Sequence, residues 1–104
     1  MNRILEQNLL YDFYGELLTK KQKDVYERFV IEDFSLSEIA EEMEISRQGV
    51  HDMVNRSLKT LKDYEEKLHL VEKFLYMKEK LIEINHSNEL KEIKMISEEL
   101  LREL

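Results

Sequence analysis

Ser35-Leu36-Ser37-Glu38-Ile39-Ala40-Glu41-Glu42-Met43-Glu44-Ile45-Ser46-Arg47-Gln48-Gly49-Val50-His51-Asp52-Met53-Val54-Asn55-Arg56 is the stretch on which the reading of this chain turns. Ser35 with Glu38 forms a Ser-x-x-Glu capping box, and Ser46 opens a second helix eleven residues later. That interval leaves room for one short helix and a tight turn. Leu36, Ile39, Ala40, Met43, Ile45, Val50, Met53 and Val54 then fall at the spacing of a helix-turn-helix. Ala40 sits where the first helix must approach the second closely, Ile45 plugs the turn, and Val50 with Met53 packs the second helix back onto the first. Glu44 stands where many such motifs carry glycine to admit a left-handed turn.

The helices on either side follow from the same signals. Ile4, Leu5, Leu9, Leu10, Phe13 and Leu17 form an apolar stripe with Tyr11 and Tyr14 flanking it, which predicts an amphipathic helix over residues 3–18. The Thr19-x-x-Gln22 capping box starts a second helix that runs to about Ile31, offering Val25, Phe29 and Val30 to a core with Tyr26 at its edge. Lys20, Lys21 and Lys23 crowd its start, where the helix dipole prefers anions. After Gly49 nothing interrupts helical spacing until Asn85-His86-Ser87-Asn88. A bend or break is expected within that span, at no position the pattern identifies. A last helix is expected over about 88–104.

Composition agrees with an all-α class. The 104 residues include no Pro, two Gly and abundant Leu, Glu and Lys. No Cys is present, which excludes disulfides, thiol catalysis and thiolate metal sites and predicts an intracellular, cytoplasmic home. The N-terminus shows no secretory signal, and no apolar run is long enough to span a membrane. The expected architecture is a helix-turn-helix domain over 1–62 with its motif at 35–56, followed by a helical extension over 63–104.

With a formal charge of -7, net charge alone does not favour nucleic acid, so distribution decides. From a helix start at Arg47, the outward positions are Arg47, Gln48, His51, Asp52, Asn55 and Arg56, continuing to Lys59 and Lys62. These are groove-reading residue types. Between 46 and 62, four positive side chains face Asp52 alone. We take Ser46, Arg47, Gln48, His51, Asn55, Arg56 and Lys59 as the candidate nucleic-acid-binding set. Opposing it, Glu32, Asp33, Glu38, Glu41, Glu42 and Glu44 lie in a span without a base, and a first helix normally crosses the phosphate backbone.

Leu10-Tyr11-Asp12-Phe13-Tyr14, Leu17-Leu18-Thr19-Lys20-Lys21-Gln22, Phe34 to Glu42 and Ile45-Ser46-Arg47-Gln48-Gly49-Val50 together resemble the YlxM family of small bacterial helix-turn-helix proteins, over roughly residues 8–68. The resemblance implies a fold similar to the promoter-reading fourth region of sigma factors, in proteins usually encoded beside the GTPase of the signal recognition particle. It implies a role as a regulator or as a component of that particle. Ser46, Arg47 and Gln48 match the positions that would face DNA, and no catalytic residue comes with the family.

Other side chains carry no comparable signal. His51, His69 and His86 are widely spaced without a His-x-x-x-His pair, so neither a metal nor a catalytic role is expected, and no cofactor is implied. The aromatics of 11–14 fit a core better than an RNA-stacking platform. The carboxylates lie on mixed-charge faces and solubilise the chain. Beyond Leu61, two apolar rows share one helix: Leu61, Tyr64, Leu68, Val71, Leu75 and Ile82, and Leu70, Phe74, Met77, Leu81 and Ile84. Covering both predicts a homodimer. The expected function is non-enzymatic nucleic-acid binding, to promoter DNA or to RNA such as that of the signal recognition particle. The rival is a protein adaptor that docks on the particle's GTPase through its acidic and basic helices.

Overall fold

Capping chemistry sets the helix starts. In the structure, a computed structural model that describes residues 2–104, Thr19 Oγ accepts from the Gln22 N–H while Gln22 Oε1 accepts from the Thr19 N–H. Ser35 and Glu38 repeat the arrangement. The described residues form six α-helices: α1 Arg3–Tyr14, α2 Lys20–Tyr26, α3 Leu36–Met43, α4 Arg47–Leu68, α5 Leu70–His86 and α6 Leu90–Glu103. A 3-10 turn, Gly15–Leu17, follows α1, and a π-helical turn, Glu27–Ile31, follows α2. No strand occurs among the described residues, so the fold is all-α. No described helix is long and apolar enough to cross a membrane.

The chain divides into two compact units, the first ending at His69 and the second running Leu70–Leu104. In the first, α2, α3 and α4 enclose Val25, Ile39, Ala40, Val50 and Val54, with Phe29, Phe34, Met43, Ile45 and Met53 packed around them. Ala40 is 7% exposed, in the close crossing its size suggested. The turn between α3 and α4 is left-handed even though Glu44 carries it, at φ 57 and ψ 42. Ile45 N–H donates to Ala40 O at 3.1 Å and Glu44 N–H to Glu41 O at 3.4 Å, the bond pair of a Schellman motif.

Two expectations for the first helices need correction. α1 ends at Tyr14, not near residue 18, and its buried side chains are Leu10 and Tyr14. Ile4, Leu5, Phe13 and Leu17 of the expected stripe are exposed. The 3-10 turn advances the chain by 120° per residue, not 100°, which turns Leu17 outward and Leu18 inward. Gly15 is required there, because a Cβ would lie 2.9 Å from the Tyr11 ring. Tyr26, expected at an edge, is wholly buried: its ring stacks on Tyr11 at 5.1 Å and its hydroxyl donates to Gln7 O at 2.9 Å. Tyr14 reaches the far end of α4, donating to Glu65 Oε1 at 2.5 Å.

The expected break in the long helix falls at His69, which adopts a left-handed conformation at φ 56 and donates its N–H to Glu65 O at 2.8 Å. Residue 62, the boundary expected from the motif's extent, lies inside α4. In the second unit α5 and α6 pair, tied by Lys80, whose Nζ lies 3.2 Å from Glu99 Oε2 and 3.7 Å from Glu83 Oε2. Val71 and Ile96 are buried, while Leu81, Ile82, Leu90, Met95 and Leu101 are exposed.

Candidate nucleic-acid interface

α4 owes its orientation to one apolar row. Val50, Val54, Ser57 and Leu61 are buried at helical spacing, so the opposite face carries Gln48, Asp52, Asn55, Arg56 and Lys59, all exposed, while Arg47 and His51 are exposed at the flank of the first turns. Ser57, the one polar member of the buried row, directs its hydroxyl to Met53 O at 2.9 Å and so brings no unpaired group into the core. At the start of the helix Ser46 Oγ accepts from the Gly49 N–H at 2.9 Å, a cap that fixes where the outward face begins.

Of the seven candidate residues, Ser46 is committed to the cap and the other six are exposed along α4 from Arg47 at one margin to Arg56 at the other, in three electrostatic situations. Among the described residues Arg47 has no carboxylate within ion-pair distance, and the Arg56 side chain bonds the backbone oxygen of Asp52, at 3.4 Å from its Nε, and no carboxylate. Lys59 is paired with Asp63 at 3.0 Å. Between the arginines, the amide and imidazole side chains are held along the helix: Gln48 Nε2 donates to Asp52 Oδ1 at 2.9 Å, and Asn55 Nδ2 lies 3.3 Å from His51 Nδ1. The face thus presents two uncommitted cations flanking amides and an imidazole that are oriented before any ligand arrives. Cations hold phosphates and amides discriminate base edges, so the arrangement has the parts of a groove reader.

The acidic first helix is less opposed to this role than its composition implies. Arg28 bridges Asp24, at 3.0 Å, to Glu42 on α3, linking the two helices and neutralising one of the six acids of that span. Hydrogen bonding to Asp24 is the main reason the guanidinium is held above its ordinary pKa. Glu38, Glu41 and Glu44 remain exposed.

Two residues near the interface escaped the sequence reading. Lys21 and Gln22, at the start of α2, line a cleft of about 220 Å³ with Thr19, Met53 and Arg56. Residue 21 is 35 positions from residue 56, so no local pattern announces the meeting. The only hint is the lysine cluster at an unfavourable helix start.

Residues 1–101 match the family model described as "Putative helix-turn-helix protein, YlxM / p13 like". The chain is 48% identical over 96 residues to a UPF0122 protein of Acetivibrio thermocellus, an alignment covering 92% of this chain and 78% of that protein. It is 44% identical over 99 residues to the UPF0122 protein YlxM of Bacillus subtilis, covering 95% and 84% of the two chains. A UPF0122 protein of Thermoanaerobacter sp. is 43% identical over 107 residues, covering 96% and 92%. The helix-turn-helix seen in α3 and α4, the match along nearly the whole chain and these identities lead to one conclusion: the chain belongs to the UPF0122 family of YlxM/p13-like helix-turn-helix proteins.

Proposed function

We propose that this chain is a non-enzymatic nucleic-acid-binding protein that lays the outward face of α4 in a groove, in the manner of the promoter-reading region of sigma factors. It would serve as a DNA-binding regulator or as a component of the signal recognition particle pathway. The observation that carries the reading is the pair Arg47 and Arg56, two cations without carboxylate partners among the described residues, at either side of Gln48, His51 and Asn55. In a chain of net charge -7, exposed arginines without a carboxylate partner among the described residues, at opposite margins of the outward surface of α4, are best explained by an anion that they meet outside the chain.

The test is binding at low salt to labelled duplex DNA and to the particle's RNA, with the particle's GTPase offered in parallel and the complexes treated with nuclease. Arg47→Ala with Arg56→Ala should weaken binding to unrelated sequences equally and flatten the dependence of log affinity on log salt. Each lost phosphate contact changes that slope by roughly 0.7 to 0.9 units. Gln48→Ala or Asn55→Ala should leave the slope and alter preference between sequences. A complex with the GTPase that survives nuclease, together with no salt-dependent binding to either nucleic acid, would replace this reading with the adaptor.

We also propose that two copies associate through the second unit. Two helices cannot enclose two apolar rows, and Leu81, Ile82, Leu90, Met95 and Leu101 are left exposed on α5 and α6. A second helical pair supplies the four helices that a bundle core needs.

A further inference from the structure

The cleft between the start of α2 and α4 differs chemically from three others on the described surface. Its lining is Thr19, Lys21, Gln22, Met53 and Arg56: two cations, an amide, a hydroxyl and a thioether, with no carboxylate. The wider cleft beside it carries Lys20, Lys21 and Lys23 but balances them with Glu16, Asp24 and Glu27, and Lys23 is paired to Glu16 at 2.9 Å. A third cleft contains Asp63 with Lys67, and a fourth contains Glu83, Glu89 and Glu92. Lys21, although it borders the acidic cleft too, forms no ion pair there.

The capping box biases the same lining toward donors. Thr19 Oγ and Gln22 Oε1 are both turned to backbone N–H groups, at 3.2 and 3.0 Å. Each side chain therefore keeps its hydrogens for an outside acceptor: the threonine O–H and the Gln22 Nε2 hydrogens. Arg56 uses only its Nε, and weakly, so its terminal N–H groups stay available for the bidentate bonding that phosphate oxygens accept. Two like charges share a small cleft with donors and no counter-charge, a repulsive arrangement that a bound anion reverses.

We propose that this cleft holds a backbone phosphate of the duplex whose groove α4 enters, making Lys21 and Gln22 part of the interface; the assignment rests on the nucleic-acid reading above. Arg56 stands at the α2 side of the outward face, beyond Asp52 and away from Arg47 and His51. Phosphates flank a helix in a groove at such a margin, while bases lie beneath its centre. The lysine cluster that is unfavourable for starting α2 thereby acquires a binding role.

The test measures anisotropy of labelled, mixed-sequence duplex DNA against the full-length protein over a salt series. Lys21→Gln with Arg56→Gln should weaken binding severalfold on two unrelated duplexes and lower the slope of log affinity against log salt by about 0.9 units, the loss of one phosphate. Lys20→Gln, which changes only the acidic cleft, should keep the wild-type slope. Unchanged thermal melts verify that the variants fold. A double variant with the wild-type slope overturns the cleft assignment while nucleic-acid binding stands, whereas a wild-type chain without salt-dependent binding overturns both. Inorganic phosphate supplies the remaining arm, read by the Gln22 side-chain amide resonance. Movement of that resonance alongside an unchanged slope would assign the cleft to the free ion and equally overturn the backbone assignment.

Discussion

Glu44→Gly should stabilise this protein, and the amount can be worked from its backbone. Glu44 holds φ 57 and ψ 42, where a Cβ crowds the following carbonyl at a cost of roughly 1–2 kcal/mol. Glycine escapes that crowding but gives the unfolded chain more freedom, which takes back about 0.4–1 kcal/mol. The substitution also removes a negative charge from the C-terminal end of α3, where the helix dipole disfavours it, adding a few tenths of a kcal/mol. The net expectation is a gain of about 1 kcal/mol, or roughly 4–8 °C in melting temperature for a unit of this size. Glu44→Ala is the decisive companion, because it removes the same charge while keeping the Cβ. Thermal and urea melts followed by circular dichroism should rank glycine above alanine by about 1 kcal/mol. If the two variants melt together, no backbone strain resides at this turn, and the Schellman closure is not what positions α4.

Ala40→Leu should destabilise the first unit by roughly 1–3 kcal/mol, since added methylenes at the α3–α4 crossing force the helices apart; an unchanged melting temperature would refute the crossing. Ile82→Lys with Leu101→Lys should convert a dimer to a monomer in sedimentation equilibrium, and a 12.7 kDa mass for the wild-type chain at micromolar concentration would refute the dimer. Burial, with a contribution from Glu6, pushes the Tyr26 hydroxyl up to about 12. In that range the unfolded chain releases a proton that the folded chain keeps, so the Tyr26 contribution is whole below pH 10 and is lost as the pH rises from there through about 12. Tyr26→Phe should remove that part of the alkaline loss in urea melts recorded from pH 9 upward.

The elements legible in the sequence were those whose cause is local. Thr19 with Gln22, Ser35 with Glu38, and Ser46 announce three helix starts because a cap acts on N–H groups two or three residues away. Ala40, Val50 and Val54 were legible as core because their spacing repeats the helix period. Phase was lost where the period itself changed: the 3-10 turn after Tyr14 rotated Leu17 out, and no residue type in Gly15–Leu17 marks it as 3-10 rather than α. Tyr26, expected at the edge of the core, is buried because Tyr11 covers its ring and Gln7 satisfies its hydroxyl, both supplied by α1. His69 ends α4 without glycine or proline, since histidine is among the residues that tolerate a left-handed conformation. For the interface, the outward row of α4 could be read from one helix, but the pairing of Lys59 with Asp63 and the meeting of Lys21 with Arg56 depend on side-chain rotamers and tertiary contact.

The bond from Tyr14 to Glu65 joins residues 51 positions apart, whereas α2, α3 and the first turns of α4 meet through much shorter loops. Forming a long closure loses more chain entropy, and only contacts already in place can compensate it. By loop length alone the Tyr14–Glu65 bond is expected to close late, once α4 has grown as far as Glu65, whereas Tyr11 and Tyr26 can meet early. The reverse path governs fluctuation in the native state. Opening of the Tyr14–Glu65 bond would free the C-terminal end of α1 from α4 while the residues that present Arg47 and Arg56 stay folded, so the amides next to Tyr14 are expected to exchange with solvent ahead of those around Val50. The residues that present Arg47 and Arg56 are thereby insulated from opening at that bond.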